Sequence, residues 1–385
     1  MLHRTNEIVK DFFLIFYYTN SMHENIYWLG FSVFPGIGPL RFQKLLKRFD
    51  SAKKAWEAAE KDVVGVLGEQ LTRKFFMFKK NFSLTAYEKR LADKKISCLF
   101  LKDTTYPSLL SEIPGAPFVL YCKGDAALVS AMTRGLAVVG TRKISRYGEE
   151  VTKLLTKQLL AQQFVIISGL ALGVDAVAHQ TAIAYNGKTI AVLGCGVDCC
   201  VPGSNLTIYD KIVRQFGAVI SESAFGNTVS KGMFPSRNRI IAGLSQGVLV
   251  TEGAEDSGAL ITAQRALEFG RPVFAVPGPI TSPLSKGPLK LLQKGARLVQ
   301  SGEDVLAALQ MQRLGRDIRQ MADVVFTGVS DVPEEQEILD ILTNGSMYLD
   351  EIVRKLEKDS ATVGSLLSIL EIKGMVKSGG GKFSV

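Results

Sequence analysis

Histidine is almost missing from this chain: His3, His23 and His179 are the only three in 385 residues. With no Ser–His–Asp set and no close carboxylate pair beside them, hydrolytic triads and two-carboxylate chemistry are excluded. His179 falls in a helical pattern and reads as packing or surface. A Walker A lysine is also missing, which excludes a nucleotide-driven motor. The dinucleotide fingerprint G-x-G-x-x-G is absent too, because Gly194 and Gly196 have no third glycine at the required place and no acidic ribose partner follows. The five cysteines (Cys98, Cys122, Cys195, Cys199, Cys200) are odd in number and lack zinc spacing. Cys195, Cys199 and Cys200 read as metal ligands or as small buried thiols, and the spacing favours thiols. No cofactor, no metal and no catalytic residue is expected.

Long apolar runs are lacking as well. Phe12–Tyr18 is far short of the roughly 20 residues a membrane helix needs, and Lys10 and Asp11 sit against it. No small-residue cleavage site follows, so the expectation is a cytoplasmic protein with reduced thiols and no membrane partner. Residues 1–21 read either as an extension ahead of Met22, which opens a more ordinary stretch, or as no part of the natural product.

Basic residues are plentiful. The formal charge is +9, and it is unevenly spread. Residues 1–105 carry 18 basic and 11 acidic side chains, residues 106–332 carry 22 and 17, and residues 333–385 carry 6 and 9. The first two pieces suit a polyanion; the last is a poor phosphate track.

Residues 1–102 read as a helical domain. Pro35-Gly36-Ile37-Gly38-Pro39 opens a helix carrying Arg41, Lys44, Lys47 and Arg48. This is either a helix–hairpin–helix element whose amides meet a phosphate, or a plain turn in a small bundle. From 103 to about 310, apolar runs at 136–139, 164–167, 189–193, 218–221, 247–250, 273–276 and 297–299 alternate with helical patterns. That alternation specifies an α/β fold, a doubly wound parallel, Rossmann-like sheet with ligands at the carboxyl ends of its strands. Phe118–Cys122 offers one further strand within a proline-broken connector. Residues 311–332 read as a linker. Residues 333–385 give three helices and a Gly-rich wing, a small winged-helix domain whose third helix offers only Lys373, offset by Glu371. A protein contact suits it better than groove reading.

Clusters of small and polar residues fall where the strand ends should meet. The first run is followed by Gly140-Thr141-Arg142, where backbone amides and a guanidinium make a phosphate seat. The second is followed by Ser168-Gly169-Leu170-Ala171-Leu172-Gly173-Val174-Asp175. Gly187-Lys188-Thr189 precedes the third, and Gly194 to Asp198 follows it. Phe234-Pro235-Ser236-Arg237-Asn238-Arg239 comes after the fourth. Thr251-Glu252 and Ser257-Gly258 come after the fifth. Arg142, Lys188, Arg237 and Arg239 lack acid–base partners and read as binding groups.

The segments VVGTRKISRYG, SGLALGVDAVAH, GKTIAVLGCGVD, FPSRNRIIAGLS and TEGAEDSGALITAQRALEFGRPVFAVPG together closely resemble the DNA-processing DprA (Smf) family, over roughly residues 103–300. The resemblance implies a non-enzymatic protein that binds single-stranded DNA, forms a homodimer, protects incoming DNA and loads RecA recombinase onto it during natural transformation. It places phosphate contacts on Gly140, Thr141, Arg142, Lys188, Arg237, Asn238 and Arg239. Asn238 and Arg239 have a second reading, a structural cap and an ion pair beneath the pocket. Ser168, Gly169, Gly173, Asp175, Asp198, Ser257 and Gly258 would shape the pocket. Where the family commonly has Tyr-Pro this chain has Val201-Pro202, leaving Phe234 or Tyr147 as a stacking aromatic. A competing reading, an enzyme of the nucleotide phosphoribohydrolase group, needs a P-G-G-x-G-T-x-x-E loop; residues 251–258 do not carry it.

Overall fold

The computed structural model describes residues 24–228, 233–311, 333–343, 345–372, 375–379 and 381–384. The expected extension (1–21), nearly all of the expected linker (311–332), Lys373 and the side chain of Phe234 lie outside the described residues. One compact unit ends at Val305, and a second begins at Leu306.

In the first unit nine strands form one sheet: β1 (Ile96–Phe100), β2 (Val119–Gly124), β3 (Gly135–Val139), β4 (Val165–Ser168), β5 (Thr189–Leu193), β6 (Gly217–Ser221), β7 (Val248–Val250), β8 (Val273–Ala275) and β9 (Arg297–Leu298), in the order β1-β2-β6-β5-β4-β3-β7-β8-β9. The seven strands β3 to β9 are parallel and sit within a residue or so of the apolar runs in the sequence. The side chains of β3 to β8 are mostly apolar on both faces because helices cover both, whereas the edge strand β9 is exposed. Along β5, Ile190 and Val192 pack with Ile240, Ile241 and Ala263, whereas Ala191 and Leu193 pack with Ala176, Ile208 and Tyr209. Adjacent residues thus serve opposite cores, the signature of a doubly wound sheet.

The sheet is mixed rather than wholly parallel. β1 pairs antiparallel with β2, and β2 antiparallel with β6. The expected boundary at 102/103 falls between β1 and β2, so it cuts a hydrogen-bonded pair. The helices over 24–33, Pro39–Phe49, Ala52–Glu57, Glu60–Leu67, Glu69–Asn81 and Leu84–Asp93 do not keep a core of their own. Trp28, Phe31, Phe42, Trp56 and Phe75 form an aromatic cluster that continues into Phe100, Phe118 and Tyr121 on and beside β1 and β2. Phe42 stacks on Phe118 with ring centroids 4.1 Å apart, so aromatic burial joins the helices to the sheet edge.

The 35–39 hairpin lies between two helices, as either reading requires. Arg41 Nη1 donates to the Gly36 carbonyl at 2.7 Å, and Gly36 holds φ +109, a conformation that a side chain would strain.

The second unit has helices Pro333–Thr343, Leu349–Leu356 and Ser360–Ile372 around Ile338, Leu342, Ile352, Val363 and Leu367. Its short strands β10 (Met347–Tyr348), β11 (Lys377–Gly379) and β12 (Lys382–Ser384) form a small antiparallel sheet in the order β10-β12-β11. The wing hairpin β11–β12 was legible in the sequence; β10 was not. Among the described residues no helix is long and apolar enough to cross a membrane.

Candidate functional site

Strand order sets the location. From β3 the chain steps outward through β4 and β5 to β6, then returns to the other side of β3 as β7 and continues to β8 and β9. The loops after β3 and β7 therefore diverge, and a crevice opens between them at the carboxyl edge. An open cleft of about 410 Å³ lies there, lined by Gly140, Thr141, Arg142, Asp175, Arg237, Asn238, Asp256, Ser257 and Gly258, with Val139, Ala171, Ile241 and Ile261 among its apolar walls.

The loop after β3 is held from β7's side. The Thr141 amide donates to the Glu252 carbonyl at 2.7 Å, and the Val174 amide to the Thr141 carbonyl at 3.1 Å. Glu252 is buried, and its carboxylate accepts from the Ser145 amide at 2.8 Å and the Ser145 hydroxyl at 2.6 Å. Ser145 in turn caps the helix Arg146–Ala161. Gly140 has to be glycine here: a Cβ would stand 2.5 Å from Val174 Cγ2 and 2.6 Å from the Glu252 carbonyl oxygen. Arg142 extends from this braced loop and is exposed at the cleft.

The cleft floor comes from the segment after β4 and from the helix Met233–Leu244. Asp175 is buried in the first turn of the helix Val174–Ala184, and its Oδ2 accepts from the amides of Gly169 (3.1 Å) and Ala171 (3.3 Å). Burial pushes its carboxyl up, and the neighbouring Arg237 charge pulls it partly back. Arg237 is 6% exposed and donates from Nη1 to the Val192 carbonyl at 2.9 Å. Burial lowers its proton affinity, Asp175 raises it, and Arg142 lowers it again. Two guanidiniums thus bear on one cleft, one exposed and one fixed below it. A Cβ on Gly169 would fall inside the Arg237 guanidinium, so glycine there makes room for the arginine. Ser168 donates to the Val138 carbonyl at 2.6 Å, and Gly173 turns at φ +74 against the Thr141 carbonyl. Ser257 caps the helix Gly258–Glu268, whose start faces the cleft. That helix start and two guanidiniums favour an anion, while Asp256 on the rim opposes one.

The remaining expected residues divide. Asn238 lines the cleft and donates from Nδ2 to the Gly258 carbonyl at 3.3 Å, so its amide joins two helices. Arg239 turns away: Nη2 lies 2.5 Å from both carboxylate oxygens of Glu222. The ion-pair alternative read from the sequence describes it. Asp198 shapes its loop by accepting from the Gly226 amide at 3.1 Å.

Lys188 is a correction to the expected pocket. It precedes β5, at the amino end of that strand, and its Nζ donates to the Gln215 carbonyl at 3.1 Å. Six residues at about 3.3 Å each put it roughly 20 Å from Gly194 at the carboxyl end. Tyr147 keeps a partly exposed ring, with its hydroxyl donating to the Pro277 carbonyl at 2.6 Å.

Sequence reasoning missed Glu252 and Asn205 as organisers. Asn205 Nδ2 donates to the carbonyls of Leu170 (2.9 Å) and Ala171 (3.1 Å), pinning the loop after β4. Glu252 stood in a flagged cluster, yet its partner Ser145 is 107 residues away. The five cysteines are unpaired thiols, and burial pushes Cys195 up to about 12. Among the described residues no group of three or more His, Cys, Asp or Glu is placed to hold a metal.

Two family models match the chain: "DNA recombination-mediator protein A" over residues 97–310 and "DprA winged helix domain" over residues 328–382. Protein Smf of Synechocystis sp. is 34% identical over 385 residues, spanning 92% of this chain and 96% of that protein. DNA processing protein DprA of Streptococcus pneumoniae is 45% identical over 218 residues, 56% of this chain and 76% of that protein. A solved structure of DprA from Streptococcus pneumoniae matches with TM-score 0.64 and 38% identity, over 73% of this chain and 96% of that one. DNA processing protein A from Helicobacter pylori, whose structure is described in terms of its single-stranded DNA binding mode, matches with TM-score 0.51 and 29% identity, over 57% of this chain and 97% of that one.

Proposed function

We propose a function from one premise: this chain belongs to the DNA recombination-mediator protein A family, the DprA/Smf proteins. The chain binds single-stranded DNA in the cleft at the carboxyl edge of its sheet, without chemistry of its own. Bound strand is protected and passed to RecA recombinase, and the working unit is a homodimer. The observation that carries the binding is the convergence of exposed Arg142 and buried Arg237 on a crevice that the start of the helix Gly258–Glu268 also faces. Arg142 grips a phosphate bidentately, and Arg237 sets a positive floor without leaving its place. Gly140 and Thr141 let the backbone approach the strand, with the Thr141 amide already committed to Glu252. The phrase "recombination-mediator" in the family's description supports the transfer to RecA, and the Helicobacter pylori relative supports the choice of single strands.

One experiment tests both parts: titration with unstructured single-stranded oligonucleotides, followed by RecA filament growth on the bound strand, for wild type and Arg142→Ala. A charge-assisted hydrogen bond is worth about 1.5–3 kcal/mol, so affinity should fall roughly 10- to 150-fold. The loss should be equal for all base sequences, since phosphates carry no base information. RecA growth should slow in parallel. Unchanged affinity in folded Arg142→Ala would remove the cleft from the reading. Intact binding by wild type without faster RecA growth would remove the loading step.

A further inference from the structure

The opposite edge of the sheet carries a second concentration of positive charge. Lys94 and Lys95 form the turn between the helix Leu84–Asp93 and β1, Lys123 lies in β2, and Arg214 sits in the turn of helix leading into β6. Together they line an open cleft of about 450 Å³ with Gly124 and Gln215. Lys188 borders it through its bond to the Gln215 carbonyl. All but Lys123 are exposed. The acid in the wall, Asp125, is already engaged: its Oδ1 accepts from the Leu128 amide at 2.9 Å, capping the helix Ala126–Ala131. Among the described residues, none of the five cations has a carboxylate within ion-pair distance.

Five cations collected from four separate chain segments, against the single carboxylate of Asp125 in the wall, hold a positive potential that a polyanion relieves by displacing counterions. The chemistry also says what kind of anion. The donors are mostly lysines, point charges spread around an open trough, and no buried donor is aimed inward to enclose one small phosphate. That arrangement fits a line of phosphates.

We propose that this back cleft holds the phosphate backbone of the same DNA strand after it leaves the front cleft around the sheet. The proposal rests on the front-cleft reading above. The two clefts are separated by about 20 Å along the strands and four strand spacings of about 4.8 Å, roughly 28 Å in all. Only an oligonucleotide long enough to bridge that distance engages both.

The test compares wild type with Lys94→Gln/Lys95→Gln/Lys188→Gln, using oligothymidylates of roughly 5 nucleotides, too short to bridge the two clefts at about 3.4 Å per nucleotide, and roughly 40 nucleotides across a salt series. Each lost phosphate contact on a single strand removes about 0.7 from the slope of log affinity against log salt. The triple variant should bind the short oligonucleotide as wild type does. On the long one its affinity should fall and its salt slope flatten by about two units. An equal melting temperature confirms folding. Unchanged affinity and slope on the long strand overturn the proposal, and so does an equal loss on both lengths, which would mean a diffuse field. If instead the short oligonucleotide does not bind and Arg142→Ala changes nothing, while the lysine variant still loses the long strand, the front-cleft reading fails and the back cleft stands.

Discussion

Replacing Arg239 separates a structural ion pair from a DNA ligand. The Arg239 and Glu222 side chains are 17% and 30% exposed, and Nη2 meets both carboxylate oxygens at 2.5 Å. Burial pushes the Glu222 carboxyl up, and Arg239 is the charge that draws it back. Arg239→Met keeps much of the volume and leaves the carboxylate without its partner. Breaking a fully buried pair costs about 3–5 kcal/mol and an exposed one about 0–1, so partial exposure here gives about 2–3 kcal/mol. At roughly 2–4 °C per kcal/mol for a large domain, the melting temperature should fall by about 5–10 °C. The double variant Arg239→Met/Glu222→Gln should recover most of this, because no charge is then left stranded. The pH dependence follows from the raised carboxyl. In Arg239→Met burial acts on Glu222 unopposed, so the folded variant holds its carboxyl proton to a higher pH than the unfolded chain does, whose ordinary value is near 4.5. The destabilisation of Arg239→Met should therefore grow as pH rises above that range and shrink below it. Calorimetric melts at several pH values measure this, and oligonucleotide titration at 25 °C should show affinity within a few-fold of wild type. A variant with wild-type melting temperature and selectively lost DNA binding would refute the ion-pair account and place Arg239 among the phosphate ligands.

Gly169→Ala puts a methyl where the Arg237 guanidinium lies, and overpacking of a buried site costs about 1–3 kcal/mol, so melts should drop and strand affinity with them; wild-type values for both would mean that Arg237 does not occupy that floor. His179 is fully buried, its Nδ1 2.7 Å from the Thr189 hydroxyl oxygen, which itself donates to the Ile166 carbonyl, and its Nε2 has no partner. Burial, with Arg237 adding to it, lowers its pKa from 6.5 to about 3, so the unfolded chain takes up this proton first and stability falls as pH drops through that window. At about 1.36 kcal/mol per unit, wild type should lose roughly 3 kcal/mol more than His179→Gln between pH 7 and 4 in denaturant titrations; a pH-independent difference would show that the imidazole takes up its proton in the fold at the same pH as in the unfolded chain, and would refute the burial account.

The sequence alone determined the seven parallel strands, the helices between them, the wing hairpin and the order of the polar clusters. These are short-range properties. A run such as Leu136–Val139 is apolar at every position because both faces of its strand are covered, and that requirement is written into consecutive residues. Gly140 to Arg142 were legible for the same reason, since a strand end followed by a helix start is a local pattern. Which end of a strand a residue occupies was also written there: Lys188 precedes its apolar run and Arg142 follows one. A cluster in sequence nevertheless says nothing about sharing a cleft. Only the tertiary structure decided that β3 and β7 are neighbours, which creates the crevice, and that Lys188 stands at the far edge with Lys94, Lys95, Lys123 and Arg214. It alone paired Arg239 with Glu222 and set Glu252 under Ser145. A charge chooses its partner by distance and burial in three dimensions, and strand order, which fixes both, is a property of the whole sheet.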